Sequence, residues 1–310
     1  MEREGLKLRP YLAAAGAAVI FGFSFLFTKS ALEGLEPFEL LGLRFFLASL
    51  FMLFLRRLGL IEVQLTWNKL GRLLVIALLQ PILYFSLETV GVQYTSASEA
   101  GVVIGLIPVA VAVLARFLLK ERAGGLQWAA ITATVAGVVL LALPQLRGGF
   151  GGLKGFLALA GAVAAAAFYN ITSRRAAGQA GPVEVTYVMM WVGALVFNGL
   201  VLLRAGLAGR PLRYLAALAS TNTAVGLLYL GILSSVGAFF LMNYALAQLS
   251  PSQVAVFVNL TPVISILAGV AFGGEALLPV QLLGTALILG GVWGVCRPSA
   301  GSSSAAKFKS

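Results

Sequence analysis

Ten stretches of about twenty predominantly apolar residues decide what this 310-residue chain can fold into. They lie near 11–29, 37–56, 70–92, 98–118, 126–143, 153–173, 184–204, 223–247, 252–273 and 278–296, punctuated by charge, Gly and Pro. A stretch of that length crosses a bilayer as a helix, because no water is present there to pair backbone N–H and C=O groups. Composition agrees: 60% of residues are apolar, 11% are charged, and the mean hydropathy is +0.96. Soluble domains carry roughly 25% charged residues. A water-soluble fold is excluded, and an all-α membrane protein with ten transmembrane helices is expected.

The missing residue types narrow the chemistry. The chain has no His, its eleven acids are all Glu, and Cys296 is its single cysteine. A Ser–His–Asp triad, an intramembrane aspartyl pair and a His-rich metal site are therefore excluded, as is an internal disulfide. No G-x-x-x-x-G-K-[ST] phosphate loop occurs. Neither a cofactor nor a metal is expected, and a membrane enzyme is a poor reading.

The net charge of +11 lies between the apolar stretches rather than on a basic face with interleaved aromatics, so nucleic acid is not an expected partner. Topology accounts for the charge. With the N-terminus inside, the cytoplasmic flanks and loops carry Arg3, Lys7, Arg9, Arg56, Arg57, Lys69, Arg72, Lys120, Arg122, Arg174, Arg175, Arg297, Lys307 and Lys309. The opposite side carries Lys29, Arg147, Lys154, Arg204, Arg210 and Arg213. The positive-inside rule then puts both termini in the cytoplasm. The first span passes into Lys29-Ser30-Ala31-Leu32 without a persuasive cleavage site and is expected to stay as a helix. The cytoplasmic membrane of a prokaryote is the expected location.

The chain also repeats itself. An offset of 154 residues aligns about 80–144 on 234–298 without a gap, carrying Pro108 onto Pro262 and Glu121 onto Glu275. It pairs Phe85 with Phe239, Ser96 with Ser250, Ser98 with Ser252 and Gln127 with Gln281. Chance explains Leu and Val matches, but not Ser, Pro, Glu and Gln matching at one offset. The two repeats are expected over 1–146 and 150–298, with a polar disordered tail at 299–310. Five spans per repeat is an odd number, so the copies should be inverted. Secondary transporters use that architecture to expose one midplane site alternately to each side.

The segments LGLRFFLASL, VGVQYTSASEAGVVIGLIPVAVAVLARFLLKER and LAQLSPSQVAVFVNLTPVISILAGVAFGGEAL resemble the two EamA-type repeats of the drug/metabolite transporter superfamily. The resemblance covers essentially the whole chain. It implies a ten-helix exporter of amino acids or related small metabolites, with a cavity built chiefly by spans 1, 3, 4, 6, 8 and 9. Phe21-Gly22 departs from the Trp-Gly that the family often has in the first span.

Charged groups inside a span are costly and face protein or water. Arg44 in the second span and Glu88 in the third lie at similar depths. A desolvated Arg44–Glu88 pair is the structural reading and the one favoured by depth; a proton or cation site at Glu88 is the mechanistic one. Gln80, Tyr84 and Glu88 recur at i, i+4 and i+8 on one face, beside the helix-bending Pro81. Tyr169, Asn170, Asn243 and Asn259 add uncharged polar groups from spans 6, 8 and 9. Together they suit a neutral or zwitterionic ligand, although interhelical hydrogen bonding can also explain each Asn. The alternative is an exporter of lipophilic or quaternary cations using Glu88. Few basic groups line the cavity side, which disfavours phosphate esters. Pro108 and Pro262 are candidate hinges, and Glu121 and Glu275 are expected to cap the helices that follow them. The small-residue pairs Ala133/Gly137 and Gly290/Gly294 allow close packing within the chain or in a homodimer.

Overall fold

In the computed structural model the backbone is described for residues 2–119, 150–176, 180–208, 219–249 and 260–296, with scattered positions between 125 and 140 and at 214, 254 and 257. Every regular element among the described residues is helical. The order is α1 (Glu2–Ala31), α2 (Pro37–Arg57), α3 (Trp67–Ala77), α4 (Tyr84–Tyr94), α5 (Ala97–Ile104) and α6 (Ile107–Leu119), then α7 (Phe150–Ala176), α8 (Pro182–Ala208), α9 (Thr221–Leu228), α10 (Phe239–Gln248), α11 (Leu260–Phe272) and α12 (Pro279–Cys296). Two wider π-type turns, Leu78–Leu83 and Tyr229–Ala238, join α3 to α4 and α9 to α10 into single long spans.

Among the described residues, six runs are long and apolar enough to cross a membrane: Leu8–Ala31, Pro37–Arg57, Lys69–Tyr94, Gly152–Ser173, Pro182–Leu207 and Thr221–Gln248. They match the expected spans 1, 2, 3, 6, 7 and 8 to within a few residues. Shorter apolar helices cover Ala97–Val111, Leu260–Phe272 and Pro279–Gly291. Most of the expected fifth span and the whole 299–310 tail lie outside the described residues. The most apolar windows of the six long runs are 44–56% buried. Leu157, Leu195 and Phe272 are among the exposed side chains that remain for lipid.

Four helix starts use one device, in which a Glu or Gln reaches back three residues to an otherwise unpaired backbone N–H. Glu39 accepts from Glu36 N (3.1 Å), Glu99 from Ser96 N (3.0 Å), Glu184 from Gly181 N (3.0 Å) and Gln281 from Leu278 N (2.9 Å). Three of these helices open on Pro37, Pro182 and Pro279, whose missing N–H costs nothing there. At the other end of α2 the chain turns through Gly59 at φ +69°, a conformation that glycine adopts without Cβ strain.

The expected fourth span is broken. It ends as α5 at Ile104 and resumes as α6 at Ile107, with Pro108 just inside the second piece. Gly105 N still reaches Gly101 O (3.0 Å) and Leu106 N reaches Val103 O (3.0 Å), so the junction keeps its hydrogen bonds. Gly105 lies against Pro262, where an added Cβ would collide with the ring. Gly137 abuts Gly284 O and Ile288 of α12, while Gly290 is exposed with nothing within 4 Å. Of the expected small-residue positions, Gly137 is in close packing and Gly290 is not.

Among the described residues the main helix contacts are related by exchanging the two halves of the chain. The third span lies on the sixth as the eighth lies on the first, and the second packs on the seventh and the fourth on the ninth. Phe85 and Phe239, partners at the 154-residue offset, meet with ring centroids 5.8 Å apart.

Candidate functional site

Arg44 is the largest fully buried side chain among the described residues, 1% exposed on the inner face of α2. Its Nε donates to Ser235 Oγ (2.8 Å) and its Nη2 to Ser234 Oγ (3.1 Å), both on the wide turn before α10. That turn brings the two adjacent hydroxyls to one guanidinium. Below it, the Phe85 ring centroid lies 4.2 Å from Arg44 Cζ, a cation–π contact. The remaining Nη1 is buried without a hydrogen-bond partner.

Glu88 lies on α4, 2% exposed, and accepts from Thr89 Oγ1 at 3.2 Å. Its charge interacts with Arg44 through space, but no direct contact joins them. The direct ion pair among the described residues is Lys69–Glu184, at 3.1 Å. The pair expected from matched depths therefore gives way to a different arrangement. Arg44 reaches the serine hydroxyls and an aromatic face contributed by other helices, and Glu88 keeps a local partner.

Gln80 and Tyr84 are buried beside this cluster, at 6% and 7% exposure. Gln80 has extended backbone angles (φ −150°, ψ 112°), so the i, i+4, i+8 stripe is interrupted at its first member, though all three side chains are buried. Tyr84 meets Phe85 edge-on, and Phe45, Phe85, Phe197 and Phe239 extend the aromatic wall.

The polar groups of the sixth and eighth spans largely engage one another. Tyr169 donates its hydroxyl to Asn243 Oδ1 (2.9 Å), and Asn243 Nδ2 donates to Thr186 Oγ1 (3.0 Å), tying α7, α10 and α8 together. Asn170 donates to Ala166 O of its own helix (2.8 Å). Asn259 lies outside the described residues, as does Glu121.

Glu275 corrects an expectation. It does not cap α12, whose start is served by Gln281. Its carboxylate instead accepts from Ala97 N (2.7 Å) and Ser98 N (3.0 Å), capping α5 of the first half from the second. The reason is packing: α11 lies along α5, which puts the segment after α11 over the start of α5.

Several residues were not singled out from the sequence. Ser234 and Ser235 stand as adjacent hydroxyls in an apolar run, a visible signal that lacked a partner until Arg44 was placed. Glu99, 1% exposed, receives Gln281 Nε2 at 2.6 Å; the Ser96-x-x-Glu99 pattern marks its local role but not this remote one. Lys29 donates to the carbonyls of Val92 (3.1 Å), Gln93 (3.3 Å) and Thr95 (2.6 Å), holding the end of α4.

Comparison with known proteins places this geometry. The EamA-like transporter family model matches residues 8–143 and 153–297. A Bacillus subtilis (strain 168) protein named as the uncharacterized transporter YcxC is 32% identical over 285 residues, 92% of this chain and 91% of that protein. A probable terminal-alkyne amino-acid exporter of Streptantibioticus cattleyicolor is 30% identical over 213 residues, 68% of each chain. A crystal structure with 22% identity aligns with TM-score 0.64 over 92% of this chain and 95% of that one, a likeness of fold.

Proposed function

The chain belongs to the EamA-like transporter family, and from that premise we propose that it is a secondary transporter that exports small metabolites, amino acids foremost, across the cytoplasmic membrane by alternating access. The observation that carries the substrate reading is the Arg44–Glu88 neighbourhood. Two opposite charges are buried close together without touching, and Arg44 Nη1 has no partner. Burying a charge is expensive unless it is paired. A solute carrying both a carboxylate and an ammonium group offers a partner to each, and the aromatic wall suits an apolar body between them. The positive Arg44 beside Glu88 weighs against a lipophilic cation as cargo. The 30% identity to a probable amino-acid exporter supports the same class.

The alternating-access part rests on the repeat. Two five-helix units are supported by the 154-residue offset and by main helix contacts related by exchange of the halves, their inversion by the odd number of spans, and cytoplasmic termini by the Lys and Arg distribution. Uptake of labelled amino acids and labelled quaternary cations into proteoliposomes, with and without a pH gradient, tests the substrate reading. Saturable amino-acid flux that falls in Arg44→Gln is expected. Flux of cations alone, lost in Glu88→Gln, would overturn it.

A further inference from the structure

The start of α5 carries two independent caps. A helix leaves its first N–H groups without partners inside the helix. One cap is local: Ser96 Oγ accepts from Glu99 N (3.1 Å), and Glu99 Oε2 accepts from Ser96 N (3.0 Å). The other is remote: Glu275 takes Ala97 N and Ser98 N. The local box keeps the helix start folded whether or not Glu275 is docked. The remote cap serves the two N–H groups that water can reach once the segment carrying Glu275 moves away.

Two further hydrogen bonds beside this contact join one half of the chain to the other. Ser265 of α11 donates to Ala97 O (2.7 Å), and Gln281 of α12 donates to Glu99 (2.6 Å). Gly101 faces Ser265, and Gly269 faces both Ser98 and Glu275; an added Cβ at either glycine would collide. The backbones of α5 and α11 thus approach as closely as glycine permits. Lys29 lies within electrostatic reach of Glu275 and Glu99, while its hydrogen bonds hold the neighbouring end of α4. The contact also carries a penalty, since Ser98 Oγ is buried without a partner. Opening would return that hydroxyl to water, offsetting part of the hydrogen bonding lost.

We propose that Glu275 is the latch of a gate at this end of the transport path. The gate closes when its carboxylate docks on the N-terminus of α5 and opens when it withdraws, with α5 kept intact by the Ser96–Glu99 box. This deepens the alternating-access reading and rests on it.

Cysteine accessibility tests the latch without knowledge of the substrate. In a Cys296→Ser background, Val102→Cys places a thiol at a 1% exposed position one turn below Ser98. A membrane-impermeant maleimide is offered to reconstituted protein from either side. A hydrogen bond to a charged group is worth about tenfold or more in an equilibrium constant. Glu275→Ala should therefore raise labelling from the Glu275 side by about tenfold or more, and Glu275→Gln, which keeps an acceptor, by less. Labelling from the far side should not rise, and unfolding should remain a single cooperative transition. Unchanged labelling would overturn the latch. So would an equal rise from both sides, which marks a loosened structure. Reactivity gained by Ser98→Cys but not by Val102→Cys would also overturn it, as local uncovering only. A side-specific rise in a protein that moves no amino acid or cation would instead leave the latch standing and remove the substrate reading.

Discussion

The third and eighth spans are related by the repeat, yet they solve one structural problem with different chemistry. The offset carries Gln80-Pro81 onto Ser234-Ser235, and both stretches lie where the helix opens into a wide turn. In the third span the break contains a proline, which cannot donate a helical hydrogen bond. In the eighth it has two serines instead, and their hydroxyls bind Arg44. One turn on, Phe85 and Phe239 match and touch, but Glu88 falls on Met242 and Thr89 on Asn243. The shared feature is the bend; the acid is confined to one copy and the guanidinium's hydroxyl partners to the other. Duplication supplied a symmetric frame, and the polar chemistry of the site is asymmetric within it.

Removing the guanidinium that joins the eighth-span break to Phe85 of the third span should have the largest effect. Arg44→Gln loses two charge-assisted hydrogen bonds and the Phe85 contact, partly offset by relief from burying a charge, for a net loss of about 3 kcal/mol. Thermal unfolding in detergent measures it. Glu88→Gln, one turn from Phe85 and without direct contact to Arg44, should lower the melting temperature less, and adding it to Arg44→Gln should restore nothing. Substantial recovery in the double variant would break the comparison by making the two charges one unit. Next in size, Ser235→Ala should cost about 1.5–3 kcal/mol through its 2.8 Å bond to the guanidinium. Pro81→Ala, at the related position, should leave Arg44 untouched, so a matching loss there would mean that both breaks serve the bend alone. The smallest effect is expected at Asn243→Ala, roughly 0.6–1.7 kcal/mol, the range for interhelical hydrogen bonds in membranes. That variant should keep the substrate preference of the parent; a changed preference in transport assays would return Tyr169 and Asn243 to the binding site.

Much of the frame is legible in the sequence. Span positions follow from hydrophobic length, which depends on local sequence and bilayer thickness alone. The repeat is readable for the same reason, since an offset in sequence needs no contact map. Six long spans were placed to within a few residues, and Arg44 and Glu88 stood out because a charge in an apolar run is conspicuous. The break at Gly105-Leu106 was only half visible: Pro108 signals a bend, but its position just inside α6 depends on the junction's hydrogen bonds.

What the sequence could not name was partners across helices. Glu275 sits three residues after α11 and four before α12, so proximity in sequence assigns it to the wrong helix. Arg44 and Glu88 have similar depths, and depth says nothing about which way each helix turns its side chain. Helical periodicity determines which residues share a face of one helix. The rotation and crossing of neighbouring helices determine what that face meets, and these depend on side-chain packing between segments far apart in the chain. Length, orientation signals and the duplicated frame were therefore determined by the sequence itself. The docking of Glu275 on α5 and of Arg44 on Ser234 and Ser235 was decided only when the two halves packed together.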